Sequence, residues 1–225
     1  MKGTPVPSHT AGETSASAVA LLRNEPVQAR STARLTSLLD AAAAVVDEIG
    51  YERLTTAMIA ERAGSSIGTV YRYFPDRIAV LHALSGRSMS RFMTEGLPLI
   101  EAEGISTWTD AVGAALDYWV DAYRSEPGFR ALRFGDVLDL RPRIGDLTNN
   151  GVVASAILAV LTRSHGVDGG EESQFRLEVA LELADSLLAR AFAFDLAGNA
   201  RFIDEARENA TVYLERFMGN QRGES

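Results

Sequence analysis

From Leu35 to Phe217 the apolar residues return every three or four positions, and no stretch alternates strictly. That is the period of a helix face, and it argues against a sheet fold, whose half-buried strands need a period of two. The clearest stripe is Leu35, Leu38, Leu39, Ala42, Val45, Val46 and Ile49. Ser31 or Thr32 can cap its start and Gly50 can close its end. Thr55-Thr56 offers the next cap, for a short helix over 57–63 with Ile59 and Ala63 inward. Gly64 breaks that helix, Ser65 or Ser66 caps a third that runs to Phe74, and Pro75 stops it. Asp76 caps a fourth, with Ile78, Leu81, Leu84 and Phe92 on one face. Beyond Gly104 the same period continues over 111–123, 146–165, 171–197 and 200–218. The expectation is an all-α chain of about nine helices: an N-terminal three-helix domain with a helix-turn-helix, then a larger helical domain.

Composition narrows the function. The chain has 225 residues, which suits a small domain joined to a larger one. It has no cysteine, so disulfides, thiolate metal sites and cysteine nucleophiles are excluded. No window approaches the roughly 18 apolar residues of a membrane span. No signal peptide is readable, and the cytoplasm is the expected compartment. Residues 1–28, dominated early by Gly, Pro, Ser, Thr and Ala, read as a disordered tail; 29–90 then hold the helix-turn-helix domain and 91–225 the second domain. The net charge of −8 is unevenly spread. Residues 23–91 hold nine arginines against seven acidic groups, whereas residues 92–225 hold twelve against twenty-two. A mildly basic head on an acidic body fits a nucleic-acid-binding module with a non-binding companion, although acidic faces also serve solubility alone.

Thr55 to Phe74 carries the chemistry. Two short helices joined by a tight glycine turn make a helix-turn-helix, whose second helix can enter a major groove. Ser65, Ser66, Thr69, Tyr71, Arg72 and Tyr73 supply the hydroxyls and guanidinium suited to phosphates and base edges. Gly68 lets the backbone approach closely, because it has no side chain. Enzyme signatures are thin: no phosphate-binding G-x-x-x-x-G-K-[ST] and no H-E-x-x-H occurs. No catalytic residue, metal or cofactor is expected.

Leu54-Thr55-Thr56, Ile59-Ala60-Glu61-Arg62-Ala63-Gly64 and Ser66-Ile67-Gly68-Thr69-Val70-Tyr71-Arg72-Tyr73-Phe74-Pro75-Asp76-Arg77 together resemble the tetracycline-repressor family of bacterial regulators. The resemblance covers about residues 31–84, with Ala41-Ala42 to Gly50-Tyr51 matching the family's first helix. It implies that Thr56 is a phosphate-contacting cap, or a cap alone, that Ser66 caps the recognition helix, and that Thr69, Tyr71 and Arg72 reach bases or the groove. It also implies that Tyr73 and Arg77 clamp the DNA backbone. Val70 and Phe74 are core; Ile67 either touches a thymine methyl or is merely exposed. Ser65 departs from the family, which usually has an apolar residue there. Its hydroxyl either weakens the turn's small core or turns towards phosphate.

The resemblance further implies that residues 91–225 bind a small-molecule effector and dimerise. Candidate pocket walls are Phe92, Trp108, Trp119, Tyr123, Phe129 and Phe134. Candidate seam residues are Leu183, Leu187, Leu188, Phe192, Tyr213 and Phe217, on the last two helices. The implied partners are double-stranded operator DNA, an effector and a second copy of the chain, with no membrane. The implied activity is repression of transcription, released by the effector. The rival is a helical interaction or scaffold protein that keeps the domain without ligand control.

Overall fold

The computed structural model describes residues 13–133 and 149–218, and side chains from residue 29 onward except at 131 and 133. Among the described residues there are helices and turns only. The first helix, α1 (Glu13–Ile49), begins well before Ser31. Residues 13–28, placed above in a disordered tail, are therefore helical. Extending an existing helix adds one hydrogen bond per residue, and Ala, Leu, Arg and Glu favour it, so Pro26 does not end it.

A 3₁₀ turn (Tyr51–Arg53) leads into α2 (Thr56–Arg62), α3 (Ile67–Tyr73) and α4 (Arg77–Arg91). These elements share one core. Leu38, Ala42, Val45 and Val46 of α1 pack with Leu54, Ile59 of α2, Val70 and Phe74 around α3, and Val80, Leu81 and Leu84 of α4. Arg87 of α4 also pairs with Asp40 of α1 at 2.7 Å.

A π-helical turn (Phe92–Gly96) carries α4 into the single turn α5 (Leu97–Leu99). There follow α6 (Trp108–Ser125), α7 (Phe129–Arg133), α8 (Asn149–His165), α9 (Glu171–Phe192) and α10 (Ala200–Met218). Thr107 and Asp110 form a capping box at the start of α6. α9 stops at Phe192 rather than near 197. There Asp195 accepts from the Ala197 and Gly198 amides, and Gly198 adopts φ 82, a turn that a continuing helix could not make. A second core joins Phe92 and Ile100 to the inner faces of α6, α8, α9 and α10. Among the described residues, no helix is long and apolar enough to cross a membrane.

The two cores meet at α7. Its Phe129 is buried in the second core, while Leu132 packs against the first. Gly128, just before it, has φ 76 and lies so close to α1 that an added Cβ would stand 2.9 Å from the Ala43 carbonyl oxygen. Its amide donates to the Asp47 carboxylate at 3.1 Å, and Arg130 approaches the same oxygen at 3.7 Å. Gly128→Ala combines a disfavoured backbone with a backbone clash. It should destabilise the protein by about 1–3 kcal/mol, read as a lower midpoint in urea unfolding; an unchanged midpoint would mean that α7 and α1 separate freely.

Candidate nucleic-acid interface

The helix-turn-helix is built by local chemistry. Thr55, in extended conformation, caps α2 and accepts from the Met58 amide at 3.3 Å. Thr56 is the first helical residue, half-buried, so the cap belongs to its neighbour. An N-cap needs an extended backbone, and Thr55 is the residue that has it. At the other end the Ser65 amide reaches back to Ala60 at 2.9 Å across Gly64, whose φ is 58. That left-handed step is what reverses the chain. Ser66 then caps α3, accepting from the Thr69 amide at 3.1 Å.

Burial orients α3. Val70 is fully buried and Phe74 nearly so, which turns the opposite side outward. Ile67, Gly68, Tyr71 and Arg72 lie there at i, i+1, i+4 and i+5, all exposed, Tyr71 by 51%. They form one strip along a helix short enough to lie in a groove. The other nominated residues are tied within the protein. The Thr69 hydroxyl bonds that of Ser66 at 2.9 Å. The Ser65 hydroxyl accepts from Arg34 at 3.3 Å; it neither enters the turn's core nor stands free. The Tyr73 hydroxyl meets that of Ser31 at 3.1 Å, fastening α3 to α1. Arg77 donates to the Glu52 carbonyl at 2.5 Å, bracing the 3₁₀ turn.

The residues that the sequence reading missed are on α1. Arg34, inside the expected helix, reaches the Ser65 hydroxyl at the turn, and the N-terminal extension adds Arg30, exposed, one helical turn earlier. Their four-residue spacing is visible in the sequence, but it has meaning only on a helix that begins before Ser31. The Tyr73 phenol is held below its ordinary pKa, first by the Ser31 hydroxyl bond and, after a small opposing effect of burial, by Arg72 and Arg34. Arg72 also lies 5.3 Å over the Tyr73 ring. The strip is thus edged with positive charge.

The nominated pocket walls are mostly core. Phe92 stacks on Trp119 at 4.8 Å, and Tyr123 stacks on Phe192 at 4.8 Å and meets Phe129 edge-on at 5.0 Å. Rings four apart on α6 share one face, and that face meets α9, so the aromatic groups pack into the second core; Trp119 also borders a small void with Leu116, Leu181 and Leu188. Trp108 is half-buried against the same core, and Phe134 lies outside the described residues.

The nominated seam divides in two. Leu188 and Phe192 are 2% and 1% exposed within the single chain, so neither can face a partner. α9 has two apolar sides, and these residues lie on the inner one with Leu177, Leu181 and Ala184. The outer side of α9 and α10 carries Phe175, Leu183, Val212 and Phe217, all exposed, with Leu187 and Tyr213 half-buried. Arg176 binds this surface together: it lies 4.0 Å over the Phe217 ring, donates to the Tyr213 hydroxyl at 3.1 Å and pairs with Glu172 at 2.6 Å.

The chain matches two family models: "Bacterial regulatory proteins, tetR family" over residues 38–84, and "Tetracyclin repressor-like, C-terminal domain" over residues 106–218. It is 40% identical over 58 residues to the HTH-type transcriptional repressor KstR of Mycobacterium tuberculosis, a match that spans 26% of this chain and 26% of that repressor. A TetR-family transcriptional regulator from Streptomyces coelicolor, of known crystal structure, is 31% identical; the match covers 81% of this chain and 98% of that one, with a TM-score of 0.67. The regulator FadR of Bacillus subtilis, solved in complex with stearoyl-CoA, shares the fold at 18% identity, covering 80% and 97% of the two chains with a TM-score of 0.62.

The inner position of Leu188 has a direct consequence. Leu188→Ala should cost about 2–5 kcal/mol of stability, the range for a core leucine, and leave the assembly state of the folded fraction unchanged. Denaturant unfolding and light scattering read the two effects separately; a stable variant with altered mass would return Leu188 to the seam.

Proposed function

The chain belongs to the tetracycline-repressor family of bacterial regulatory proteins, and we propose that it is a homodimeric repressor whose grip on operator DNA is released by a small-molecule effector. The observation that carries the reading is the outward strip of α3. Four exposed positions lie on a helix whose opposite side is locked in a core. Such a helix presents side chains to a groove without having to be ordered first.

Within the strip, Tyr71 and Arg72 are the base or groove readers, Gly68 admits the backbone, and Ile67 offers an apolar contact to a thymine methyl. Ser66 and Thr69 preserve the start of the helix. Thr56, Ser65, Tyr73 and Arg77 brace the reading head and approach phosphate at its edges, with Arg34 and Arg30 beside them. The unequal charge supports the same polarity: the acidic body is repelled by DNA, so the head alone is drawn to it.

The outer face of α9 and α10 is the surface we assign to a second copy. Exposed phenylalanine, leucine and valine at helical spacing, crossed by an arginine, suit the centre of an interface. A two-fold axis would place two reading heads on successive major grooves and require a roughly palindromic operator. An effector acts by binding better to a dimer whose heads are wrongly spaced. That a regulator of the same fold was solved with stearoyl-CoA supports the reading that a small molecule is the effector.

Selection from a pool of random duplexes, followed by a gel shift, tests the reading; enrichment of a palindrome is expected, and failure to enrich any sequence would sink it. On the selected DNA, Tyr71→Ala should weaken binding by about 1–3 kcal/mol per half-site with melting temperature unchanged. Full affinity in the variant would remove Tyr71 from the reading surface. Leu183→Arg, at a position exposed in the single chain, should leave the fold intact and yield a monomer, because a seam cannot bury unpaired guanidinium groups across its own axis. Light scattering that still reads a dimer would place the seam elsewhere.

A further inference from the structure

At the junction of α4, the π turn, α5 and α6 lies a groove of about 440 Å³, a volume suited to a small molecule. Leu99, Ala114 and Ala122 give it an apolar side, and Arg91, Glu95 and Glu126 a charged one. Tyr118 of α6 lines it as well, with its ring edge-on to Phe92 at 5.5 Å. Gly96 in the π turn makes room for that ring, since an added Cβ would stand 3.1 Å from Tyr118 Cγ. The Tyr118 hydroxyl is buried and has no hydrogen-bond partner among the described residues. Buried polar groups are nearly always paired, and phenylalanine would fill the same space without leaving an oxygen unpaired. Packing therefore gives no reason for tyrosine here. Burial first, then the charges of Glu126 and Glu95 against that of Arg91, push the phenol up to about 12. It keeps its proton, and those three charges place the hydroxyl on the ionic side of the groove.

That side also has hydrogen-bonding capacity to spare. Arg91 is shared by two carboxylates, 3.4 Å from Glu126 and 3.6 Å from Glu95, both beyond the usual N–H···O range. Glu126 is 13% exposed, and burial raises its pKa more than Arg91 lowers it. The other carboxylates of the groove are engaged elsewhere, Asp117 by Arg207 at 3.0 Å and Asp121 by Arg124 at 3.6 Å. An anion would therefore face four carboxylates and one guanidinium. A cation with N–H donors would meet two carboxylates short of partners and the face of an aromatic ring. We infer that this groove is the effector site, and that the effector is an organic ammonium ion with a compact apolar body, bound by Glu126, Glu95 and the Tyr118 oxygen. The inference rests on the effector-released reading above and gives that effector a place and a chemistry. Release follows from an exchange of cations. The Arg91–Glu126 pair joins α4 to α6, and α4 is built into the core of the reading head through Val80, Leu81 and Leu84. An ammonium that takes Arg91's place at Glu126 frees the end of α4. The ligand's contacts exist only in the freed state, which is the differential affinity that a population shift needs.

The test titrates the full chain by calorimetry with benzylamine and benzyl alcohol, one body carrying a cation or a neutral hydroxyl. Saturable binding is expected for benzylamine, about tenfold tighter than for the alcohol. Glu126→Gln, which keeps the shape and removes the charge, should abolish that preference. Tyr118→Phe should weaken benzylamine about threefold to tenfold and leave the melting temperature at least as high, because its hydroxyl has no bond in the protein to lose. Benzylamine, and not the alcohol, should also loosen the selected operator in a gel shift. Equal affinity for the two probes, a preference that survives Glu126→Gln, a Tyr118→Phe variant that melts earlier, or binding that leaves the operator complex intact would each overturn the inference. These outcomes are separate from the reading beneath it. A protein that selects a palindrome and is released by some compound regardless of Glu126 keeps that reading and loses only this site. A protein that selects no DNA loses the reading.

Discussion

The apolar face of α1 is the surface on which the N-terminal half is assembled. Leu38, Ala42, Val45 and Val46 are buried there, and α2, α4 and the 3₁₀ turn pack directly against this helix. α3 joins the same core through Val70 and Phe74. Each side chain buried in this way contributes on the order of 1.5–3 kcal/mol, more than any single surface hydrogen bond in the motif. The position of the reading strip is therefore set by hydrophobic burial, and the caps at Thr55 and Ser66 only decide where the short helices begin.

The same helix receives the second half. Gly128 lies against the Ala43 carbonyl and Asp47, and Phe129 beside it is locked edge-on to Tyr123, which stacks in turn on Phe192 of α9. Close-packed interiors leave little slack. A displacement of α9 or α6 has to be absorbed at this aromatic contact or passed through α7 to α1. Tyr118, in the groove, meets Phe92 edge-on, Phe92 stacks on Trp119, and Trp119 stands one helical turn from Tyr123 on α6. The groove, the aromatic stack and the reading head are thus joined by continuous packing, which is the physical condition for coupling between sites.

The legible parts of the chain share a property. The cap at Ser66, the glycine reversal at Gly64, the stop at Pro75 and the inward pair Val70 and Phe74 are each decided within four residues of themselves. The family motif is dense for that reason. What failed was of longer range. The stripe on α9 is visible in the sequence, but period alone does not separate Leu183, which is on the outer side, from Leu188 and Phe192, which are on the inner. An aromatic at helical spacing on α6 has the same signature whether it lines space or fills it, so the stripe alone does not separate core from cavity wall at Trp119 and Tyr123.

The sequence by itself therefore determined the class of fold, the helix-turn-helix and which side of the recognition helix turns outward. Period, capping and glycine conformation are properties of the local chain, and they act before any distant residue arrives. Only the tertiary structure decided which of two apolar faces on α9 belongs to the chain's own core, that α1 extends back to carry Arg30 and sets Arg34 against the turn, and that Gly128 joins the two halves. Those outcomes depend on which residues far apart in sequence exclude water from one another, and periodicity along one helix holds no information about the surface it will meet.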